Sequence, residues 1–117
     1  MLIGSLLTIM EEAGEGVLVM TEDVAKEEFL RSRLTRHEVQ RRLLIMAGSA
    51  GHVAPEERKL MPEMPWDGWE KLARDLNRGN PEADELLWFA VTSLAPAAMT
   101  WIEVYRTNQP ELFTFTA

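Results

Sequence analysis

The side chains best suited to chemistry in this chain are arginines. Arg31, Arg33, Arg36, Arg41 and Arg42 crowd into positions 31–42. A guanidinium is a planar fork of donors that suits phosphate better than a lysine ammonium does. The cluster therefore reads in one of two ways. It is a contact for RNA, nucleotide phosphates or an acidic partner, or it is a solvated face answering the acids Glu22, Asp23, Glu27 and Glu28. A second group lies in Arg74-Asp75-Leu76-Asn77-Arg78-Gly79-Asn80-Pro81. Asn77 and Arg78 are able to hold a phosphate there, but neither is an effective acid–base group near neutral pH. The imidazoles are His37 and His52. With no cysteine and no His-x-x-x-His pair they make no metal site. His37 is expected in the exposed first turn of a helix, and His52 in a turn after Gly51. Gly14-Glu15-Gly16 lacks the Lys and Ser/Thr of a phosphate loop. No metal and no cofactor is expected.

The totals bound what must position these residues. A chain of 117 residues is expected to form one domain, 1–117, around a single core. It is 46% hydrophobic and 26% charged, the balance of a soluble globular protein. Without cysteine its stability has to come from packing. No apolar run of about 18 residues is evident, so no membrane-spanning helix is expected. Met1-Leu2-Ile3-Gly4 lacks the basic start of a secretory leader, and a cytoplasmic location is expected. The net charge of −7 is uneven, with seven acids against one lysine in residues 1–30 and five arginines against one glutamate in residues 31–42. Non-specific binding to duplex DNA is disfavoured by that overall charge, while one basic patch still attracts a phosphate-bearing partner.

The hydrophobic spacing predicts helices throughout. Leu2, Ile3, Leu6, Leu7 and Met10 follow an amphipathic helical stripe, which ends near Ala13 or continues through Val17-Leu18-Val19-Met20. Thr21-Glu22-Asp23 predicts a helix start ahead of Val24, Phe29 and Leu30. Thr35 and Glu38 match a capping box for a helix bearing Val39, Leu43, Met46 and Ala50 and stopping at Gly51. Pro55 opens about two turns. Pro62 and Pro65 predict an extended linker, after which Asp67 caps a helix through Trp69, Leu72, Ala73 and Leu76. Gly79-Asn80-Pro81 breaks the chain. A last helix from about Glu82 to Arg106 turns Leu87, Val91, Leu94, Ala98, Trp101 and Tyr105 inward, with Pro96 kinking it and depriving the Thr92 carbonyl of its partner. Trp66, Trp69, Trp88 and Trp101 are expected to pack between helices, or Trp66 or Trp88 at a subunit interface. In the apolar tail 107–117, Leu112-Phe113-Thr114-Phe115 either clips onto its own bundle or docks on a second subunit. The sum is an all-α fold, an antiparallel four- to five-helix up-and-down bundle.

Several segments, taken in order, resemble the HepT-like toxins of the HEPN superfamily. They are Glu27-Glu28-Phe29-Leu30, then Ile45-Met46-Ala47-Gly48, then Pro62-Glu63-Met64-Pro65-Trp66, then the late stretch from Trp88 to Pro96. The family's Arg-Asx-x-x-x-His-x-Tyr motif aligns with the run that Arg74 opens. Arg74 and Asp75 match it, Gly79 stands at the His position and Pro81 at the Tyr position. Ser49 replaces the glutamate that follows the Ile-x-x-Gly step. The resemblance implies a helical, HEPN-like bundle that dimerises and pairs with a small nucleotidyltransferase. In members with the full motif it implies metal-independent ribonuclease activity. The Arg orients the scissile phosphate, the His serves in acid–base chemistry, and the partner modifies the Tyr with adenylate. RNA cleavage needs proton transfer at the 2′-oxygen and stabilisation of a pentavalent phosphate. Gly79 transfers no proton, and Pro81 has no hydroxyl.

Two expectations follow. In the first, the chain is a catalytically degenerate partner subunit, a homodimer that binds a minimal nucleotidyltransferase in a toxin–antitoxin-type system or its remnant. Arg31, Arg33, Arg36, Arg41, Arg42 and Arg78 then serve as nucleotide, RNA or partner contacts. In the second, it is a metal-independent ribonuclease with a rebuilt site that joins Arg74 to His52.

Overall fold

The first helix, α1 (Leu2–Thr21), runs unbroken across Gly14 and Gly16. Each interior glycine costs a helix about 1 kcal/mol relative to alanine, and close packing explains both. A Cβ on Gly14 would press on Met46 and Met99, and one on Gly16 would strike the Arg42 guanidinium. The two glycines let neighbouring helices lie directly on the α1 backbone. The computed structural model describes residues 2–79 and 81–114, and of Leu2 the backbone alone. The expectations placed on the Leu2 side chain, Asn80 and Phe115 lie outside the described residues.

After α1 come α2 (Lys26–Arg31), α3 (Arg33–Gly51), α4 (Pro55–Arg58), α5 (Trp66–Asn77), α6 (Ala83–Phe89), a π-helical turn (Ala90–Leu94), α7 (Ala95–Asn108) and a 3-10 turn (Pro110–Phe113). With α6, the π turn and α7 stacked as one rod, about six helices form an all-α bundle, and the described residues contain no strand. Helix α1 packs against α3 and α7, and α3 packs against α5. Gly14 faces Met46 while Gly16 faces Arg42, so α1 and α3 run in opposite directions. Leu7, Met10 and Val17 meet Phe29, Leu43, Met46, Trp69 and Ile102 in a fully buried core.

Several helix ends differ from the sequence expectation. Thr21-Glu22-Asp23 closes α1 rather than opening α2. Asp23 adopts the left-handed region at φ 57°, which aspartate tolerates better than most residues, and the Val24 N–H returns to the Thr21 carbonyl. Helix α3 starts earlier than the Thr35–Glu38 box predicts. Ser32 is its cap, accepting from the Thr35 N–H at 3.2 Å, so Thr35 lies inside the helix and Glu38 is free to pair with arginines. Pro65, not Asp67, occupies the cap position of α5, and Asp67 sits in its first turn, where the helix dipole favours an acid.

The last rod absorbs Pro96 by widening. Across the π turn the Ala95 N–H reaches back five residues to Ala90, and the Thr92 hydroxyl donates to the Trp88 carbonyl at 2.9 Å. A π bulge supplies the space that a proline ring needs in a helix interior. Contrary to the sequence expectation, the rod Ala83–Asn108 is long and apolar enough to cross a membrane by length and composition alone, its few charged residues interrupting the apolar run. Its apolar face is the one buried in the bundle, through Leu87, Val91, Leu94, Ala98 and Ile102. The C-terminal turn clips onto its own bundle: Leu112 is buried, and Arg106 lies over the Phe113 ring at 4.4 Å.

Residues 61–66 form a folded turn rather than an extended linker. The Met64 N–H bonds the Met61 carbonyl, and the Trp66 N–H bonds the Met64 carbonyl at 2.8 Å. Met61 and Met64 are buried beneath it. The Trp66 indole N–H closes the turn on the Met61 carbonyl at 3.0 Å. Arg58 locks it to the bundle. Its guanidinium lies 5.2 Å from the Trp66 ring, donates to the carbonyls of Ala50 and Val53 at the end of α3, and pairs with Glu70 of α5 at 2.7 Å. Replacing Arg58 by Met keeps the apolar stem and removes every donor. We expect a loss of about 2–3 kcal/mol, read from urea unfolding at unchanged m-value, while Arg31→Met, on the open surface, stays within about 0.5 kcal/mol.

Candidate functional site

Helix α5 carries Arg74 and Asp75. Trp66, Trp69, Leu72 and Leu76 face the core, so Arg74 lies on the exposed side, and it makes no ion pair among the described residues. Asp75 pairs with Lys71 at 2.6 Å rather than with Arg74. Its carboxyl is held below the usual range, first by the Lys71 hydrogen bond, then by the charges of Lys71, Arg74 and Arg78. A carboxylate so stabilised is a poor proton donor.

Gly79 has a structural task of its own. It stands just beyond the helix end with φ 67°, and its N–H bonds the Leu76 carbonyl at 3.2 Å. This is the left-handed position at which glycine most often stops a helix. Position 79 is therefore one where a side chain is strained, although a Cβ there would meet no neighbour within 4 Å.

His52 follows the end of α3 and is exposed, and its Nδ1 lies 2.7 Å from the Gly48 carbonyl of its own helix. Among the described residues no hydrogen bond joins His52 to Arg74.

The arginine cluster divides. Glu38 takes Nε and Nη2 of Arg41 at 3.0 and 2.6 Å and Nε of Arg42 at 2.8 Å. Its carboxyl is pulled down to about 2, by the Arg41 hydrogen bond foremost, with the Arg41 charge and Arg42 adding to it. Arg36 donates to the Leu30 carbonyl and pairs with Asp84 at 3.4 Å. The counter-charges are thus Glu38 and Asp84, and among the described residues none of Glu22, Asp23, Glu27 and Glu28 pairs with the cluster. Arg31 is exposed. Arg33, Arg36, His37, Gln40 and Arg41 form one wall of a surface groove of about 460 Å³, with Leu44 below and Asp84 and Leu87 of α6 opposite. Arg42 instead lies across Gly16 of α1.

Sequence reasoning did not find His37, Gln40 and Leu44 as groove residues. Their spacing from Arg33 and Arg41 is that of one helix face, and that periodicity was the available signal. Asp84 and Leu87 lie far along the chain and carried none. Arg74 and Arg78 belong to α5 and do not line this groove.

Two outcomes check this geometry. Gly79→His should cost about 1 kcal/mol through left-handed strain, and Gly79→Asn less, by urea unfolding; equal stability of all three proteins would refute the assignment. For Glu38 the folded carboxyl titrates below its unfolded value. Its contribution is therefore present above about pH 4.5 and lost as pH falls toward about 2. Thermal unfolding of wild type and Glu38→Gln should differ above pH 4.5 and converge on acidification. No known protein family, curated protein or solved structure matches the chain.

Proposed function

We propose that this chain is a HepT-like helical subunit whose ribonuclease motif has degenerated and whose task is to dock a minimal nucleotidyltransferase in the cytoplasm, within a toxin–antitoxin-type pair or its remnant. The observation that carries the reading is the folded turn at 61–66, which leads into α5 and leaves Arg74 exposed beyond it. The long rods α1, α3, α5 and Ala83–Asn108 fit an up-and-down, HEPN-like bundle. In this reading Glu63 of the turn is structural, accepting from the Tyr105 hydroxyl at 2.8 Å. Burial and that hydrogen bond push the Tyr105 phenol up, so the chain's one tyrosine is a poor site for adenylate.

Loss of chemistry with retention of a partner surface accounts for the rest. Gly79 and Pro81 supply neither proton transfer nor a hydroxyl, and the His52 ring is turned toward Gly48. Meanwhile Val19 is 72% and Phe89 55% exposed. Leu18, Val24, Trp88 and Val91 line a groove of about 480 Å³ that Val19 shares. Apolar side chains grouped in this way are the usual mark of an interaction surface, for the nucleotidyltransferase or for the second subunit of a homodimer.

Capture of the tagged chain from its native host tests the proposal. The expected result is a small nucleotidyltransferase co-eluting in near-stoichiometric amount, with no RNA cleavage by the purified complex. Elution without any nucleotidyltransferase would overturn the docking role. Cleavage abolished in both Arg74→Ala and His52→Ala would establish the ribonuclease in its place.

A further inference from the structure

Helix α3 contradicts the usual charge order of a helix. Its first turn has no acid and instead bears Arg33, with Arg36 close behind. The aligned peptide dipoles already concentrate positive charge at that end, so cations there weaken the free protein. Ser32 satisfies the Thr35 N–H, but it does nothing for the accumulated charge. Three guanidiniums line one groove in a chain whose net charge is −7. Arg36 recovers part of that cost through the Leu30 carbonyl and Asp84, but Arg33, at the helix start itself, gains no ion pair among the described residues, and a local penalty of that kind marks a functional site.

Arg36 and Arg41 are held but not used up. Glu38 occupies the Nε and Nη2 edge of Arg41. The Leu30 carbonyl takes Nη1 of Arg36, and Asp84 lies beside its Nε. Each guanidinium has five N–H donors, so both keep donors beyond these bonds, and Arg33 makes no ion pair among the described residues. Arg36 and Arg41, already held by these bonds, lose little freedom when they take a ligand.

We propose that this groove binds a phosphorylated small molecule, with its phosphate groups between Arg33, Arg36 and Arg41 and its less polar body over Leu44 and Leu87. Arginine forks match phosphate oxygens in pairs, and the N-terminal dipole of a 19-residue helix adds to the same field. The volume of about 460 Å³ lies within the range of small-ligand sites. A long polyanion fits worse. Helix α2 packs beside α3 and α6, and its exposed Glu27 and Glu28 would repel a strand leaving the groove. The site stands independently of the partner-docking reading.

The test is calorimetric titration of the full chain at low salt with inorganic tripolyphosphate, then adenosine triphosphate, then a single-stranded RNA hexamer. Tripolyphosphate should bind saturably at one per chain, adenosine triphosphate at least as tightly, and both should weaken about tenfold or more in R33Q/R41Q. Arg31→Gln, in the same cluster but outside the groove, should bind as wild type. Arg33→Glu should lose binding while raising the melting temperature of the unliganded protein, because an acid then meets the helix start; that gain separates loss of the site from loss of the fold. Absence of saturable binding by both small probes would overturn the proposal, as would binding of the RNA alone. Equal weakening in R31Q and R33Q/R41Q would reduce the site to diffuse attraction and overturn it too.

Discussion

The Arg58 side chain is the point on which the arrangement of this bundle depends. The last carbonyls of a helix have no partner within it, and at the end of α3 Arg58 supplies donors to two residues there. The same guanidinium covers Trp66 and pairs with Glu70, so one planar group sets where α3 ends, how the turn at 61–66 folds and where α5 begins. A lysine could not replace it, since a single ammonium lacks both the fork and the flat face that lies over an indole. Tyr105 and Gln109 reinforce the turn from α7, through Glu63 and the Leu60 carbonyl. Arg58 helps fix where α5 begins, and the apolar stripe of Trp66, Trp69, Leu72 and Leu76 then decides which face is buried and leaves Arg74 outside.

The chain accepts local penalties where tertiary packing repays them. Gly14 and Gly16 weaken α1 as an isolated helix and admit Met99 and Arg42 to its backbone. The π turn before Pro96 gives up regular hydrogen bonding, and the Thr92 hydroxyl compensates at the Trp88 carbonyl. Trp69 is fully buried, and among the described residues its indole N–H meets no acceptor. Its ring is surrounded by core side chains, and apolar burial of so large a group outweighs one unmatched donor.

Charge is arranged differently at the two arginine groups. Around Arg74 the acid is answered by a lysine one turn away, an exposed pair of the kind that adds little stability. Around α3 the arginines outnumber their acids, and the surplus faces a groove rather than open solvent. The first pattern is that of an ordinary helix surface. The second has no counterpart among the stability rules that the rest of the bundle obeys.

Helical periodicity alone determined the class of this fold, since Leu7, Met10, Val39, Leu43, Trp69, Leu72, Val91 and Ala98 recur at spacings that only a helix brings to one face. Helix ends were less legible. Thr21-Glu22-Asp23 carries the residue types of a helix start and closes a helix instead, because α1 continues as long as its apolar face has α3 and α7 to cover it. Thr35 and Glu38 had the spacing of a capping box, yet Ser32 caps the helix and Glu38 answers Arg41 and Arg42. Gly79 was legible as a break, though its left-handed conformation was not. The arginine cluster was evident in the sequence, but its division was decided by tertiary structure. Arg33, Arg36 and Arg41 became a groove only when α6 brought Asp84 and Leu87 opposite them, and Arg42 was drawn away by a glycine on α1. Periodicity and composition act within one element, whereas a site requires distances between elements, and those are set by packing.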